Sequence, residues 1–219
     1  MASALLEVAD LACRRGGRPV FDGLSFALGA GELLALTGRN GSGKTTLLRA
    51  LALLVRPDAG SIRWQEAVVW SQKGQAEPET WRSRLAWLGH LDGLKGDLSV
   101  RENLLVAERL RGAPPAEDRL DGVLIAFDLS NLAMRPVRVL SAGQRRRTAL
   151  ARVLLSQAPV WLLDEPLNAL DAPAQMAFRT ALRTHLAAGG LAIAATHADL
   201  GMPRPRTLEL AMAPQKAPT

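Results

Sequence analysis

Eight consecutive residues near the start of the chain have the composition of a phosphate-binding loop: Gly38-Arg39-Asn40-Gly41-Ser42-Gly43-Lys44-Thr45. They fit the pattern G-x-x-x-x-G-K-[ST] at every fixed position, although an ordinary glycine-rich turn with a chance Lys-Thr pair is the alternative. Glycines let the backbone approach phosphate oxygens, and successive N–H groups then converge on the anion at a helix N-terminus. Lys44 would bridge the β- and γ-phosphates, Thr45 would offer its hydroxyl to Mg²⁺, and Thr46 would contact the α-phosphate. The predicted nucleotide-binding residues of this loop are Gly38, Asn40, Gly41, Ser42, Gly43, Lys44, Thr45 and Thr46.

Two adjacent carboxylates follow an apolar run later in the chain. Asp164 and Glu165 come directly after residues 160–163, which have the composition of a buried strand. Ligands bind at the carboxyl ends of parallel strands, so both side chains would lie near a bound phosphate. Asp164 suits the Mg²⁺ shell, and Glu165 suits a general base that activates water. A solvated acidic turn is the alternative interpretation of the pair alone.

A second candidate phosphate site is the segment Leu140-Ser141-Ala142-Gly143-Gln144, which precedes a helical pattern. Ser141 and Gln144 have capping-box spacing, so a plain helix start would explain them. The sharper hypothesis is a helix N-terminus whose Ser141 hydroxyl and Gly143 amide face a γ-phosphate. Because the chain already has one phosphate loop, a second such site is most useful to a nucleotide held by another copy.

The elements around these motifs alternate between strand and helix patterns, which predicts a largely parallel sheet with right-handed crossovers. Ser99 and Glu102 form a second capping box, at the start of a helical block. We predict strands at 5–11, 19–29, 33–36, 61–64, 68–70, 84–89, 160–164, 191–196 and 207–212. We predict turns at 14–19, 29–32 and 56–60, a polar loop at 73–80, and helices at 47–54, 99–132 with a break at 112–115, 143–156 and 173–186.

Composition excludes several classes of protein. The 219 residues are 48% hydrophobic, which is normal for a globular core. No apolar run approaches the ~18–20 residues of a membrane span, and no secretory signal is visible, so a cytosolic protein is expected. Cys13 is the single cysteine, which excludes an intrachain disulfide and a multi-cysteine metal site. The net charge of +6 fits an anionic membrane surface, a nucleic acid or a high arginine content.

Taken in order, these motifs resemble those of the ABC-type ATPases, the nucleotide-binding subunits of ABC transporters. The resemblance also covers the segment Asn168-Ala169-Leu170-Asp171 and a histidine, His197, after a strand. It implies an α/β P-loop NTPase core with a parallel sheet, an N-terminal antiparallel β-subdomain and an inserted α-helical subdomain at about 92–158, all within one domain, 1–219. It also implies a homodimer that sandwiches two ATP molecules, with Asp171 at the dimer contact and His197 reaching the γ-phosphate. Glu165 and His197 are thus the predicted catalytic residues, and Ser141, Gly143, Gln144 and Asp171 join the nucleotide-binding set.

Four positions depart from the family pattern. Ala142 stands where glycine is usual, which costs little if its φ is negative, and Asn168 replaces serine or threonine. Arg15 aligns with the aromatic residue that stacks on adenine, and its guanidinium plane can stack on a base. His90 stands at the position of a Mg²⁺-coordinating glutamine; it would contact the metal-bound water or the γ-phosphate, or be an ordinary loop residue. The candidate metal residues are therefore Thr45, Asp164 and His90.

The segment 88–98 and the run 140–147 narrow the resemblance to the CcmA family, ATP-binding subunits of the cytochrome c maturation system. This implies an ATPase that energises haem export or delivery, with ATP and Mg²⁺ as cofactors. It implies a CcmB-like integral membrane subunit as partner and a peripheral position on the cytoplasmic face of the inner membrane. Histidines 90, 185 and 197 are scattered, so we expect no direct haem site in this chain.

Three other functions fit parts of the sequence. An exporter of another small molecule would need the same motifs. A soluble ABC ATPase acting on nucleic acid is permitted by the basic charge, but such proteins usually carry two cassettes or long coiled-coil inserts. A binding module that does not hydrolyse ATP is disfavoured because Asp164, Glu165 and His197 are all present. We therefore expect no nucleic-acid partner.

Overall fold

The structure is a computed structural model that describes residues 5–75, 78–112, 117–203 and 205–211. Its strands are β1 Leu6–Arg15, β2 Arg18–Leu28, β3 Leu33–Thr37, β4 Ala59–Trp64, β5 Ala67–Ser71, β6 Gly74–Gln75, β7 Leu85–Leu88, β8 Val160–Asp164, β9 Leu191–Ala195 and β10 Arg206–Glu209. Its α-helices are α1 Lys44–Leu51, α2 Pro78–Ser83, α3 Val100–Leu110, α4 Glu117–Ala126, α5 Ala142–Leu155 and α6 Ala172–Ala187. None of these helices combines the length and hydrophobicity needed to span a bilayer.

The central sheet has the strand order β10-β3-β9-β8-β7, and every neighbouring pair in it is parallel. All residues of β8 and β9 are buried, as expected for strands covered on both faces. Along β8, Trp161 and Leu163 face one core cluster while Val160 and Leu162 face the other. The carboxyl ends of β3, β8 and β9 therefore meet at one edge of the sheet, where the site lies.

A second, antiparallel sheet has the order β2-β1-β4-β5-β6 and covers one side of the molecule. Its inner residues share a core cluster with Leu47, Leu48 and Leu51 of α1 and with one face of the parallel sheet. The tight turn between β1 and β2 consists of Gly16 and Gly17, both at positive φ. This confirms the N-terminal antiparallel β-region expected from the sequence.

Helices α3, α4 and α5 lie between β7 and β8 in the chain and pack against the other face of the parallel sheet. Leu104, Leu124 and Leu150, one from each helix, are buried in the same cluster. The predicted capping box is present: Ser99 caps α3 by accepting from the Glu102 amide, and the Glu102 side chain accepts from the Ser99 amide. The predicted break at 112–115 lies mostly outside the described residues, but Arg111 and Gly112 form a turn.

The prediction for 73–80 was wrong. The segment contains β6 and the start of α2, while residues 76 and 77 lie outside the described part. The reason is tertiary: Trp81 of α2 is buried and its Nε1 donates to the carbonyl of Leu51 at 2.8 Å.

Several boundaries were also wrong. Strands β1 and β2 extend into the predicted turn at 14–19, and β4 begins at Ala59 within the turn predicted at 56–60. Helix α1 spans Lys44–Leu51 instead of 47–54, and α4 ends at Ala126, before the predicted helix end at 132. The last predicted strand is β10, and residue 212 lies outside the described residues.

Candidate active site at the carboxyl edge of the parallel sheet

The glycine-rich loop connects β3 to α1, and two of its glycines are required by close contacts. Gly43 has φ 102°, and a Cβ there would lie 2.6 Å from Cγ1 of Val20. Gly38 has φ 125°, and a Cβ there would lie 2.9 Å from the Ser42 hydroxyl and would overlap the carbonyl of Leu210. Gly43 is also the N-cap of α1 and supplies no side-chain cap, so the first amides of this helix keep donors for an anion.

Lys44 and His197 meet at the centre of this loop. The Nζ of Lys44 donates to the carbonyls of Gly38 at 2.6 Å and Arg39 at 3.3 Å, and it lies 3.4 Å from Nε2 of His197. Lys44 is buried, with 8% of its surface exposed. Because an ammonium and an imidazole share this position, one small anion placed there would contact both side chains.

Thr45 and Asp164 bring α1 and β8 together. The Thr45 hydroxyl donates to Oδ2 of Asp164 at 2.9 Å, and Asp164 is only 4% exposed. Hard oxygen donors of this kind fit Mg²⁺, which uses one or two carboxylates, keeps several waters and takes oxygens from phosphates. Within the described ranges no group of three or more His, Cys, Asp and Glu residues could hold a metal, so an all-protein cage is absent there.

Glu165 follows directly in an unusual backbone conformation. Its φ is 47°, in the left-handed region that costs a residue with a side chain about 1–3 kcal/mol. The conformation is held on both sides, because the Glu165 amide donates to Ala195 O at 2.8 Å and its carbonyl accepts from the Asn168 amide at 3.2 Å. A strained residue at the end of a strand is typical of a functional position.

These side chains line a cavity of about 960 Å³. Of the residues predicted from the sequence, it is lined by Arg15, Asn40, Gly41, Gly43, Lys44, Thr45, Thr46, His90, Asp164, Glu165 and His197. Two other predicted residues, Gly38 and Ser42, shape the loop without lining the cavity. The remaining four, Ser141, Gly143, Gln144 and Asp171, do not line it in the same chain.

The segment 140–144 begins α5 and forms the second capping box. The Ser141 hydroxyl accepts from the Gln144 amide at 3.2 Å, and the Gln144 side chain accepts from the Ser141 amide at 2.9 Å. A Cβ on Gly143 would lie 2.8 Å from the carbonyl of Ala169, so this position requires glycine. Ala142 is the first residue of α5, where its helical φ carries no strain. Asp171 caps α6 by accepting from the Ala174 amide at 3.0 Å.

Three residues at the site were not predicted from the sequence: Arg146, Val20 and Ala198. Val20 and Ala198 line the cavity, and Arg146 holds the backbone behind it through hydrogen bonds to the carbonyls of Asp164 and Glu165, both at 2.6 Å. The available signal for Arg146 was the run of three arginines at 145–147. That run gave no indication of which arginine points inward.

Comparison with known proteins identifies the family. The model of the family described as ABC transporter matches residues 21–168. The chain belongs to the ABC transporter family. A solved structure described as the ATP binding subunit of an ABC transporter superposes on this ABC-family chain with a TM-score of 0.79 and 28% identity, covering 88% of this chain and 80% of that one. A dimeric ATP-binding cassette in a post-hydrolysis state, bound to ADP and phosphate, superposes on this chain with a TM-score of 0.78 at 22% identity. This similarity shows a shared fold only.

The curated relatives indicate which group within the ABC transporter family the chain resembles. The chain is 45% identical over 209 residues to the cytochrome c biogenesis ATP-binding export protein CcmA of Rhodospirillum rubrum, covering 95% of this chain and 87% of the relative. It is 46% identical over 206 residues to the CcmA of Cupriavidus necator, covering 94% of this chain and 88% of the relative. The resemblance to the ABC ATPases and, within them, to the CcmA family is confirmed.

Proposed function

We propose that this ABC-family chain is the ATP-hydrolysing subunit of an export complex that serves c-type cytochrome biogenesis, with haem as the exported molecule. The observation that carries the catalytic part is the convergence of Lys44, Thr45, Asp164, Glu165 and His197 on one cavity. The relatives named CcmA at about 45% identity support the biological part.

Each converging side chain has a role that follows from its chemistry. Lys44 binds the β- and γ-phosphates, exchanging the loop carbonyls that it now contacts for phosphate oxygens. Glu165 accepts the proton of the attacking water, and a positioned base of this kind accelerates a reaction by about 10²–10⁴-fold. His197, beside Lys44, contacts the γ-phosphate and orients it for attack. Arg15 at the cavity rim stacks on the base.

Thr45 and Asp164 would hold Mg²⁺, with His90 as a further candidate, because these residues line the same cavity as the phosphate loop. When bound with the nucleotide, Mg²⁺ supplies neutralising charge to the β- and γ-phosphates. The buried Asp164 carboxylate presents a negative charge to that site. Thr45 donates to it at 2.9 Å, so the hydroxyl and a carboxylate oxygen already lie side by side.

The working unit is a homodimer in which each nucleotide lies between two copies. Ser141, Gly143 and Gln144 do not line the cavity of their own chain, yet Ser141 lies at a helix N-terminus and is exposed. An exposed helix N-terminus suits an anion presented by a partner. Asp171 then lies at the contact between copies. ATP binding favours closure only to the extent that the closed dimer binds ATP more tightly.

The complex lies at the cytoplasmic face of the inner membrane, where a CcmB-like integral subunit would carry the substrate pathway. In this proposal the ABC-family chain is peripheral and binds no haem itself. A soluble ABC ATPase acting on nucleic acid is the second candidate, favoured only by the net charge of +6.

The test is complementation of a host that lacks its own CcmA. The wild-type chain, co-expressed with its membrane partner, should fractionate with membranes and restore haem-stained c-type cytochromes, whereas Glu165→Gln should fractionate identically and restore none. Membrane association and ATP hydrolysis without restored cytochromes would overturn the haem role and leave the ATPase assignment intact. Binding to DNA that salt removes, with no membrane association, would favour the second candidate.

A further inference from the structure

Arg146 is a buried arginine in the second turn of α5, with 5% of its surface exposed. Its Nη1 donates to Gly89 O at 2.9 Å and to Oδ1 of Asp92 at 3.2 Å. Its Nη2 donates to the carbonyls of Asp164 and Glu165, each at 2.6 Å. One guanidinium therefore joins the loop after β7 to the end of β8.

The two ends of this connection are both parts of the candidate site. The first end is the 89–93 loop, which directly follows β7 and includes His90, one of the residues that line the cavity. The second end is the backbone at which the chain turns from Asp164 into Glu165, with its φ of 47°. Since the guanidinium fork is planar and rigid, a shift of one end is transmitted to the other rather than absorbed.

The 89–93 loop is itself fastened to the helical region. Arg152 of α5 donates to Asp92 O at 2.9 Å and to Gly93 O at 2.7 Å. Beyond the loop, the Asn103 side chain of α3 accepts from the Lys95 amide at 2.7 Å and donates back to the Lys95 carbonyl at 3.0 Å. A displacement of α3 and α5 against the parallel sheet would therefore carry this loop with it.

We propose that Arg146 is a positioning residue that sets the carboxylate of Glu165 according to the position of the 89–93 loop. The inference deepens the proposed function and rests on it, because it takes Glu165 as the general base. Burying a guanidinium is costly unless its donors are paired. Four acceptors from two separate segments pair both terminal nitrogens of Arg146, whereas its Nε is buried without a partner. A neutral core side chain would fill the same space without connecting the segments. A movement of the helical region would thus shift Glu165, and with it the position of the reacting water, through the Arg146 side chain.

The test compares two arginines on one helix. Arg146→Lys keeps the charge but has one nitrogen, so it cannot bond both segments in fork geometry. Arg147→Lys is the matched control, since Arg147 lies on the same helix but bonds Phe127 O and Asp128 Oδ2, which belong to neither segment. For the full chain we would measure the melting temperature, the Kd for ATP with the metal chelated, and single-turnover hydrolysis of MgATP. Each variant would be made in the wild-type and in the Glu165→Gln background.

We expect Arg146→Lys to slow single turnover by about 10²-fold, the usual effect of a small misplacement of a catalytic group, with an unchanged Kd for ATP. Arg147→Lys should leave the single-turnover rate within about twofold, whatever its melting temperature. In the Glu165→Gln background Arg146→Lys should have no further effect, because residues that act as a unit are not additive.

An equal slowing by Arg146→Lys in both backgrounds, or a slowing by Arg147→Lys of the same size, would overturn the inference and leave a structural role only. If Arg146→Lys fails to fold, Asp92→Asn removes the charge at the loop end of the same connection and must show the same dependence on Glu165. Absence of hydrolysis in the wild-type chain would instead refute the proposed function, so the two failures are distinguishable.

Discussion

The hydroxyl of Thr45 donates to Oδ2 of Asp164 at 2.9 Å, across 119 residues of sequence. Thr45 belongs to the first turn of α1, and Asp164 is the last residue of β8. This contact joins the phosphate loop to the carboxylate pair. It makes one site of two motifs that the sequence presents separately.

Lys44→Ala should weaken ATP binding by roughly 10- to 100-fold, because a charge-assisted hydrogen bond to phosphate is worth about 1.5–3 kcal/mol. Calorimetric titration with ATP measures the change. Lys73→Ala is the control, since Lys73 is exposed in the turn between β5 and β6 and should bind ATP as the wild type does. An unchanged affinity of the Lys44 variant would show that the phosphates bind elsewhere.

Glu165→Gln should slow ATP hydrolysis by roughly 10²–10⁴-fold, since the amide cannot accept the proton of the attacking water. ATP should still bind, and the ATP-bound dimer should accumulate because it is no longer reopened by hydrolysis. Phosphate release and size-exclusion chromatography with ATP measure the two effects. Hydrolysis at the wild-type rate would remove Glu165 from the mechanism.

Gly43→Ala should destabilise the protein by at least about 1–2 kcal/mol, the cost of a left-handed residue with a Cβ. The new Cβ would also press on Val20, whose Cγ1 is 2.6 Å away, and so displace the phosphate loop. Gly122→Ala is the control: Gly122 lies in α4 with open space around it, and alanine there should stabilise by about 0.5–1 kcal/mol. Urea unfolding measures both. A neutral Gly43→Ala would contradict the packing described here.

His185 should make stability dependent on pH. Its ring stacks on Trp161 with centroids 4.0 Å apart, and burial lowers its pKa, while a hydrogen bond to Leu191 O acts in the opposite direction. The unfolded chain therefore binds a proton more readily, and stability should fall as the pH drops below about 6.5, the ordinary histidine value. His185→Phe keeps the ring stacked on Trp161 but cannot be protonated. The melting temperature of this variant should therefore depend less on pH between about pH 7 and pH 5. Equal pH dependence in both proteins would refute this role.

Much of the fold could be predicted from local sequence patterns. The strands at 160–164 and 191–196 and the helices at 143–156 and 173–186 lie within one or two residues of their observed positions. The two helices have 14 and 16 residues and begin after the capping residues Ser141 and Asp171. The two strands have five residues each, and all of these residues are buried. The failure at 73–80 has the opposite cause, since α2 is short and depends on the burial of Trp81.

The sequence alone predicted three motifs, because phosphate binding needs particular side chains at short, regular spacing. These motifs are Gly38–Thr45, Leu140–Gln144 and Asp164-Glu165. The tertiary structure alone decided that Lys44 lies beside His197, that Thr45 bonds Asp164, and that Arg146 turns inward to hold the Glu165 backbone. Those contacts join segments that are distant in sequence, and they depend on strand order and helix packing. No local pattern of residues encodes which arginine of three faces the core.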